Sequence, residues 1–315
     1  MSPLHDALSS YLATRRALGT QLGWPESSLR RFVDFLENQN AKFVTTELAL
    51  RWATQSVGVQ RATLARRLGM VRGFATFLRA TDARTQIPAP RLLPAGSRRP
   101  VPHIYTDSQI ADLMAATDQL RSRSGLRRAT FRTLLGLLAA TGLRPGEALA
   151  LDFDDVDLVG GVLAVRESKF GKSRFVPVEN SARAALAAYA SLRDALQPSR
   201  DTTAFLVTER GRRVPPSAAR STFARLCQSV GLRQRLHRCR IGRGPRLHDI
   251  RHTFATRRLV EWYRAGLDVA RLMPRLATYL GHGSTVHTYW YIQAVPELLQ
   301  LATERLEAAT PGDVR

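Results

Sequence analysis

Cysteine is nearly absent from the chain: Cys227 and Cys239 are the only two, too few and too far apart for a disulfide framework or a thiolate metal site. Both read as bystanders. Long apolar runs are missing as well. No stretch approaches the ~20 apolar residues of a membrane span, and the opening Met1, Ser2, Pro3, Leu4, His5 lacks the basic-then-apolar signature of an export signal. The expectation is a cytoplasmic protein with no membrane partner. Internal repeats and low-complexity tracts are lacking too, which excludes solenoids and biased disordered segments. Acidic charge is in deficit, with 26 Asp+Glu against 47 Lys+Arg, giving +21 and a pI near 11.4. Such an excess attracts polyanions, nucleic acid foremost, although a basic proteome would produce the same balance. Lysine is the scarcest cation: Lys42, Lys169 and Lys172 are the only three. Two of them share one short turn. Arginine stays protonated in almost every setting, whereas lysine can give up a proton, so lysines kept in an arginine-rich chain suggest proton transfer, with solvated turn charges as the alternative.

What is present organises into two units, since 315 residues exceed one ordinary core. Residues 4–82 read as helices: Leu4, Leu8 and Leu12 share one face, and Leu29, Phe32, Val33 and Leu36 share another behind caps at Ser27 or Ser28. Residues 1–86 are therefore expected to form an all-α domain. Pro, Gly and Arg then dominate, with Arg98 and Arg99 inside the stretch, which makes 87–103 an extended basic linker. Thr106 with Gln109 forms a capping box opening a second domain at 104–294. There the period switches from helix to strand after Leu149, and three short antiparallel strands are expected around Gly160-Gly161 and the lysine-bearing turn. Helical patterning returns over 182–196, 218–230 and from Leu247 onward. The fold class is mainly α with a small antiparallel sheet. The stretch Arg210–Arg251 carries twelve arginines and one aspartate, and its middle reads as a loop that orders against phosphates.

Three segments carry the chemistry. In Thr141-Gly142-Leu143-Arg144-Pro145-Gly146-Glu147, an arginine leaves a helix end as a fork suited to phosphate, and Glu147 can hold it in place; alone, a structural Arg–Glu pair explains it as well. In Leu247-His248-Asp249-Ile250-Arg251-His252, His248 and Arg251 stand three apart on one helical face and can address one anion. The spacing of His248 and His252 imitates a zinc helix, but that motif needs glutamate where Asp249 stands. In the third, Gly281 and Gly283 bracket His282, and Tyr291 follows nine residues later. Gly171-Lys172-Ser173 imitates the end of a phosphate loop, yet Arg166 occupies the required first glycine.

Taken together, T-G-L-R-P-G-E-A-L, a hairpin lysine, H-D-I-R-H-T-F-A-T, L-G-H and T-x-x-Y resemble the tyrosine recombinase (phage integrase) family across about the last two-thirds of the chain. The resemblance implies a helical, SAM-like core-binding domain followed by an α+β catalytic domain. It implies a site-specific DNA recombinase, of integrase or transposase type, that works through a 3′-phosphotyrosine and a Holliday junction without metal, ATP or other cofactor. Tyr291 is then the nucleophile by the family's nine-residue step from His282, with Tyr289 as its rival. Arg144 and Arg251 bind the phosphate, His282 adds a donor, His248 assists proton removal, and Lys169 protonates the leaving oxygen, with Lys172 the runner-up. Glu147 and Asp249 support them.

DNA contacts are expected from Lys172 and Arg174 in the hairpin, Arg98 and Arg99 in the linker, and Arg240, Arg243 and Arg246 in the basic loop. The partners implied are double-stranded DNA with inverted-repeat core sites, further copies of the chain in a synaptic tetramer, and accessory recombination proteins where a system uses them. A nucleoid-associated place in a bacterial cytoplasm follows. Residues 295–315 form a last amphipathic helix and tail, able to pack on the chain's own domain or to dock on a neighbouring protomer. Two alternatives share the fold: a catalytically silent DNA-binding regulator, and a type IB topoisomerase-like relaxing enzyme.

Overall fold

The computed structural model describes residues 2–20, 22–94, 101–168, 172–197, 202–234, 244–282, 284–294 and 296–309. Two compact units divide the chain, Met1–Pro100 and Val101–Arg315.

The first unit is helical: α1 (Pro3–Ala17), α2 (Gly23–Asn38), α3 (Thr46–Thr54) and α4 (Arg61–Arg79). Leucines four apart on α1 face Leu29, Phe32, Val33 and Leu36 of α2, and Trp52, Phe74 and Leu78 complete one apolar core. The edge of Trp52 meets the Phe32 ring at 5.1 Å. The start of α2 differs from the expected cap. The helix begins a turn earlier, at Gly23, and Ser27 and Ser28 lie inside it, with the Ser27 hydroxyl donating back to the Trp24 carbonyl. Ser28 is buried inside the helix, and that burial outweighs the capping preference of the two serines.

The first helix of the second unit begins where the capping box places it, at α5 (Asp107–Ala116), with both reciprocal Thr106–Gln109 bonds formed. It continues through α6 (Leu126–Thr141) and the short α7 (Pro145–Ala150). Next comes the sheet of β1 (Val156–Asp157), β2 (Val162–Ser168) and β3 (Lys172–Pro177), antiparallel in the order β1-β2-β3. α8 (Asn180–Leu196), α9 (Pro216–Ser229), α10 (Asp249–Arg264), α11 (Val269–Leu280), α12 (Val286–Ala294) and α13 (Pro296–Ala309) follow. Leu134, Leu135 and Leu138 of α6 join Leu163, Val165 and Val176 of the sheet in one core. Ala255 and Leu259 of α10 gather Met273, Leu280, Tyr291 and Leu298 in another. In the last helix Leu298 is buried in this second core, and Glu297 pairs with Arg264 of α10 at 2.9 Å. No helix among the described residues is long and apolar enough to cross a membrane.

Candidate active site

Proline at the first helical position frees the preceding residue from helical geometry, and Arg144 stands there, capping α7. Glu147, one turn on, takes the Arg144 backbone N–H at 3.0 Å and its guanidinium at 2.6 Å. The other end of the guanidinium donates to the Gly281 carbonyl at 2.9 Å. Arg174 joins the same carboxylate from β3, at 2.8 and 3.2 Å, and donates through Nε to the Tyr279 carbonyl at 2.7 Å. Burial alone would push the Glu147 carboxyl up, but the hydrogen bond from Arg174, the Arg144 backbone N–H and the surrounding positive charge hold it at about 2. Arg174, expected on DNA, has a side chain only 11% exposed and turned inward onto Glu147. Strand parity explains this, because Arg174 shares the inward face with buried Val176, opposite Val165.

His248 caps α10, and Arg251 lies in its first turn. The Arg251 fork donates to the carbonyls of Gly142, at 2.9 Å, and Leu280, at 2.5 Å. Burial, then the like charge of Arg144, lower its pKa to about 10, while Tyr291 works the other way. Arg251 is 1% exposed, so an incoming phosphate would have to displace part of its cover. Asp249 turns inward and holds Arg246 through its backbone N–H at 2.8 Å and its guanidinium at 2.7 Å. Arg246, expected on DNA, is thus tied to a buried carboxylate while staying half-exposed.

Gly281 ends α11 in the left-handed region, at φ 67°, and turns the chain so that His282 faces back toward α12. Its Nδ1 lies 2.7 Å from the Thr288 hydroxyl. The Tyr291 ring sits between two imidazoles, stacked on His282 at 6.2 Å and edge-on to His252 at 5.3 Å; His252 in turn meets His248 at 4.9 Å. Tyr291 is 2% exposed and Tyr289 43%: one turns into the cluster, the other to solvent.

Arg144, Glu147, His248, Arg251, His282 and Tyr291 are therefore gathered about the 279–282 turn. Lys169, Arg98, Arg99, Arg240 and Arg243 lie outside the described residues, and of Lys172 only the backbone, opening β3, is described. Sequence reasoning missed Thr288, although it lies in the T-x-x-Y motif, and the packing role of His252. It also missed the carbonyls of Gly142, Tyr279, Leu280 and Gly281, which no sequence pattern marks. The inward face of Arg174 was available from the alternation of β3. Three guanidiniums against one carboxylate suit a phosphodiester, whose negative charge grows during displacement, and a phenol among them suits nucleophilic attack.

The model of the phage integrase family matches residues 104–297. The chain is 41% identical over 311 residues to y4rB of Sinorhizobium fredii (strain NGR234), whose name reads integrase/recombinase, covering 98% of each protein. It is 31% identical over 303 residues to the tyrosine recombinase XerC of Mycobacterium sp. (strain JLS), covering 92% of this chain and 94% of that one. Among solved structures, the fold resembles the Tn1549 transposon integrase in complex with transposon right end DNA, with a TM-score of 0.64, 18% identity, and coverage of 96% and 99%.

Proposed function

This chain belongs to the phage integrase family and is a tyrosine recombinase that cleaves and rejoins DNA in site-specific recombination, and we propose that Tyr291 is its nucleophile. The Tyr291 oxygen attacks the scissile phosphorus and the bond to the 5′ oxygen breaks, leaving a 3′-phosphotyrosine and a free 5′-hydroxyl. His248 takes the phenolic proton and Lys169 supplies one to the departing oxygen. Arg144, Arg251 and His282 neutralise the non-bridging oxygens as charge accumulates. A 5′-hydroxyl from the partner duplex then reverses the step, so the phosphate bond energy is kept and neither ATP nor metal is consumed. Repeated on both strand pairs, the exchange passes through a Holliday junction within a tetramer on paired inverted-repeat sites. The helical domain 1–86 and the linker 87–103 add DNA contacts outside the catalytic domain, and the protein acts at the nucleoid of a bacterial cytoplasm.

The observation that supports this reading most is the burial of Tyr291 between His282 and His252, beside Arg251, while Tyr289 faces solvent. The test is a nicked suicide duplex built from a candidate inverted-repeat site sought in the DNA beside the gene. Wild-type protein and Tyr289→Phe form a covalent adduct; Tyr291→Phe forms none and binds with unchanged affinity. An adduct from Tyr291→Phe removes the assignment. A wild-type chain that binds without ever forming an adduct is a silent regulator, and relaxation of any plasmid regardless of site marks a topoisomerase.

A further inference from the structure

Glu147 is shared. Its Oε1 accepts from Arg144 at 2.6 Å and from Arg174 at 3.2 Å, and its Oε2 from the Arg144 backbone at 3.0 Å and from Arg174 at 2.8 Å. A carboxylate paired with one guanidinium cancels most of that cation's field, whereas one divided between two leaves each with residual positive charge. Both arginines reach the turn carrying His282, Arg144 through the Gly281 carbonyl and Arg174 through the Tyr279 carbonyl, but Arg174 is the more covered of the two, 11% exposed against 23%. The fit is close: a Cβ on Gly281 would come within 2.8 Å of Arg174 Nη1.

We infer that Arg174 is a positioning residue for strand cleavage: it draws off part of the Glu147 charge so that Arg144 keeps its own for the scissile phosphate, and it braces the 279–281 turn that presents His282. The inference rests on the roles of Arg144 and Tyr291 proposed above. Loss of Arg174 would leave the whole carboxylate to Arg144 and the Tyr279 carbonyl without this donor. The defect would then be electrostatic at Arg144, and removing the Glu147 charge should relieve it. A purely structural part for Arg174 has no such remedy, because a second substitution in the same cluster would add to the damage.

The experiment measures adduct formation on the suicide duplex at saturating DNA, together with DNA affinity and thermal midpoint, for wild type, Arg174→Met, Arg174→Met with Glu147→Gln, and Arg174→Lys. Arg174→Met is expected to cleave about 30-fold more slowly, within the roughly 10–100-fold range for losing a partner that orients a reactive group, with affinity within about threefold. Adding Glu147→Gln restores at least about fivefold of that rate, and Arg174→Lys, which keeps a cation beside the carboxylate, stays within about fivefold of wild type. Should Arg174→Met not fold, the lysine chain decides alone: a folded Arg174→Lys slowed 30-fold or more overturns the inference. So does a double variant no faster than Arg174→Met. A loss confined to affinity also overturns it and makes Arg174 a DNA contact. Absence of any wild-type adduct would instead overturn the parent reading, so the two failures are distinct.

Discussion

His248 is the residue whose chemistry depends most on its surroundings. Neighbouring atoms strip water from the ring, and Arg251, Arg246 and Arg144 repel a second charge, against the pull of Asp249, so its pKa falls from the ordinary 6.5 to about 4. The imidazole is neutral at physiological pH, the form a proton acceptor needs. The same shift ties stability to pH. Between about 6.5 and 4 the unfolded chain binds a proton at this position that the folded chain does not, so stability is lost as pH falls through that window. The thermal midpoint of the DNA-free protein should drop more steeply over this range for wild type than for His248→Gln. Parallel curves would mean that the histidine titrates normally. Glu147, held at about 2, acts at still lower pH: its contribution is present above about 4.5 and is lost as pH falls toward 2.

Among the elements, four helix ends meet at the site, those of α6, α7, α10 and α11, and glycine closes two of them. Gly142 ends α6 at φ 61°, and its carbonyl receives Arg251. A Cβ there would lie 2.4 Å from the Phe254 ring of α10, which itself stacks on Tyr279 of α11 at 5.7 Å. Gly142→Ala therefore combines left-handed strain with a clash against a ring packed on both sides. A cost of about 2–4 kcal/mol is expected, seen as a fall in thermal midpoint of about 5–10 °C, together with slowed cleavage because the Arg251 acceptor moves. A midpoint within a degree of wild type would show that α10 can shift away from the added methyl at no cost. The capping box at Thr106, the three strands and the helices over α8 and α9 were legible beforehand, since each depends on local pattern. The start of α2 was not, because the burial of Ser28 within the helix is decided by tertiary packing.

Across the whole molecule, the excess of +21 makes DNA binding a counterion-release process. Affinity for the recombination site should fall by at least about 10³-fold between 50 and 200 mM salt, with the same slope for Tyr291→Phe, since removing one hydroxyl leaves the phosphate contacts in place. A salt-insensitive affinity would contradict backbone-dominated binding. The charge, the helical first unit and the mixed second unit were legible in the sequence itself, because composition and periodicity are properties of the chain alone, and the candidate set Arg144, His248, Arg251, His282 and Tyr291 was legible through its motifs' resemblance to the phage integrase family. Tertiary structure alone decided that Arg251 is covered, that Tyr291 lies between two imidazoles, and that Arg174 turns inward to divide Glu147 with Arg144. Those facts depend on carbonyls and side chains brought together from α6, β3, α10, α11 and α12, and contacts between residues more than a hundred positions apart, such as Arg174 Nε to the Tyr279 carbonyl, leave no mark in local pattern.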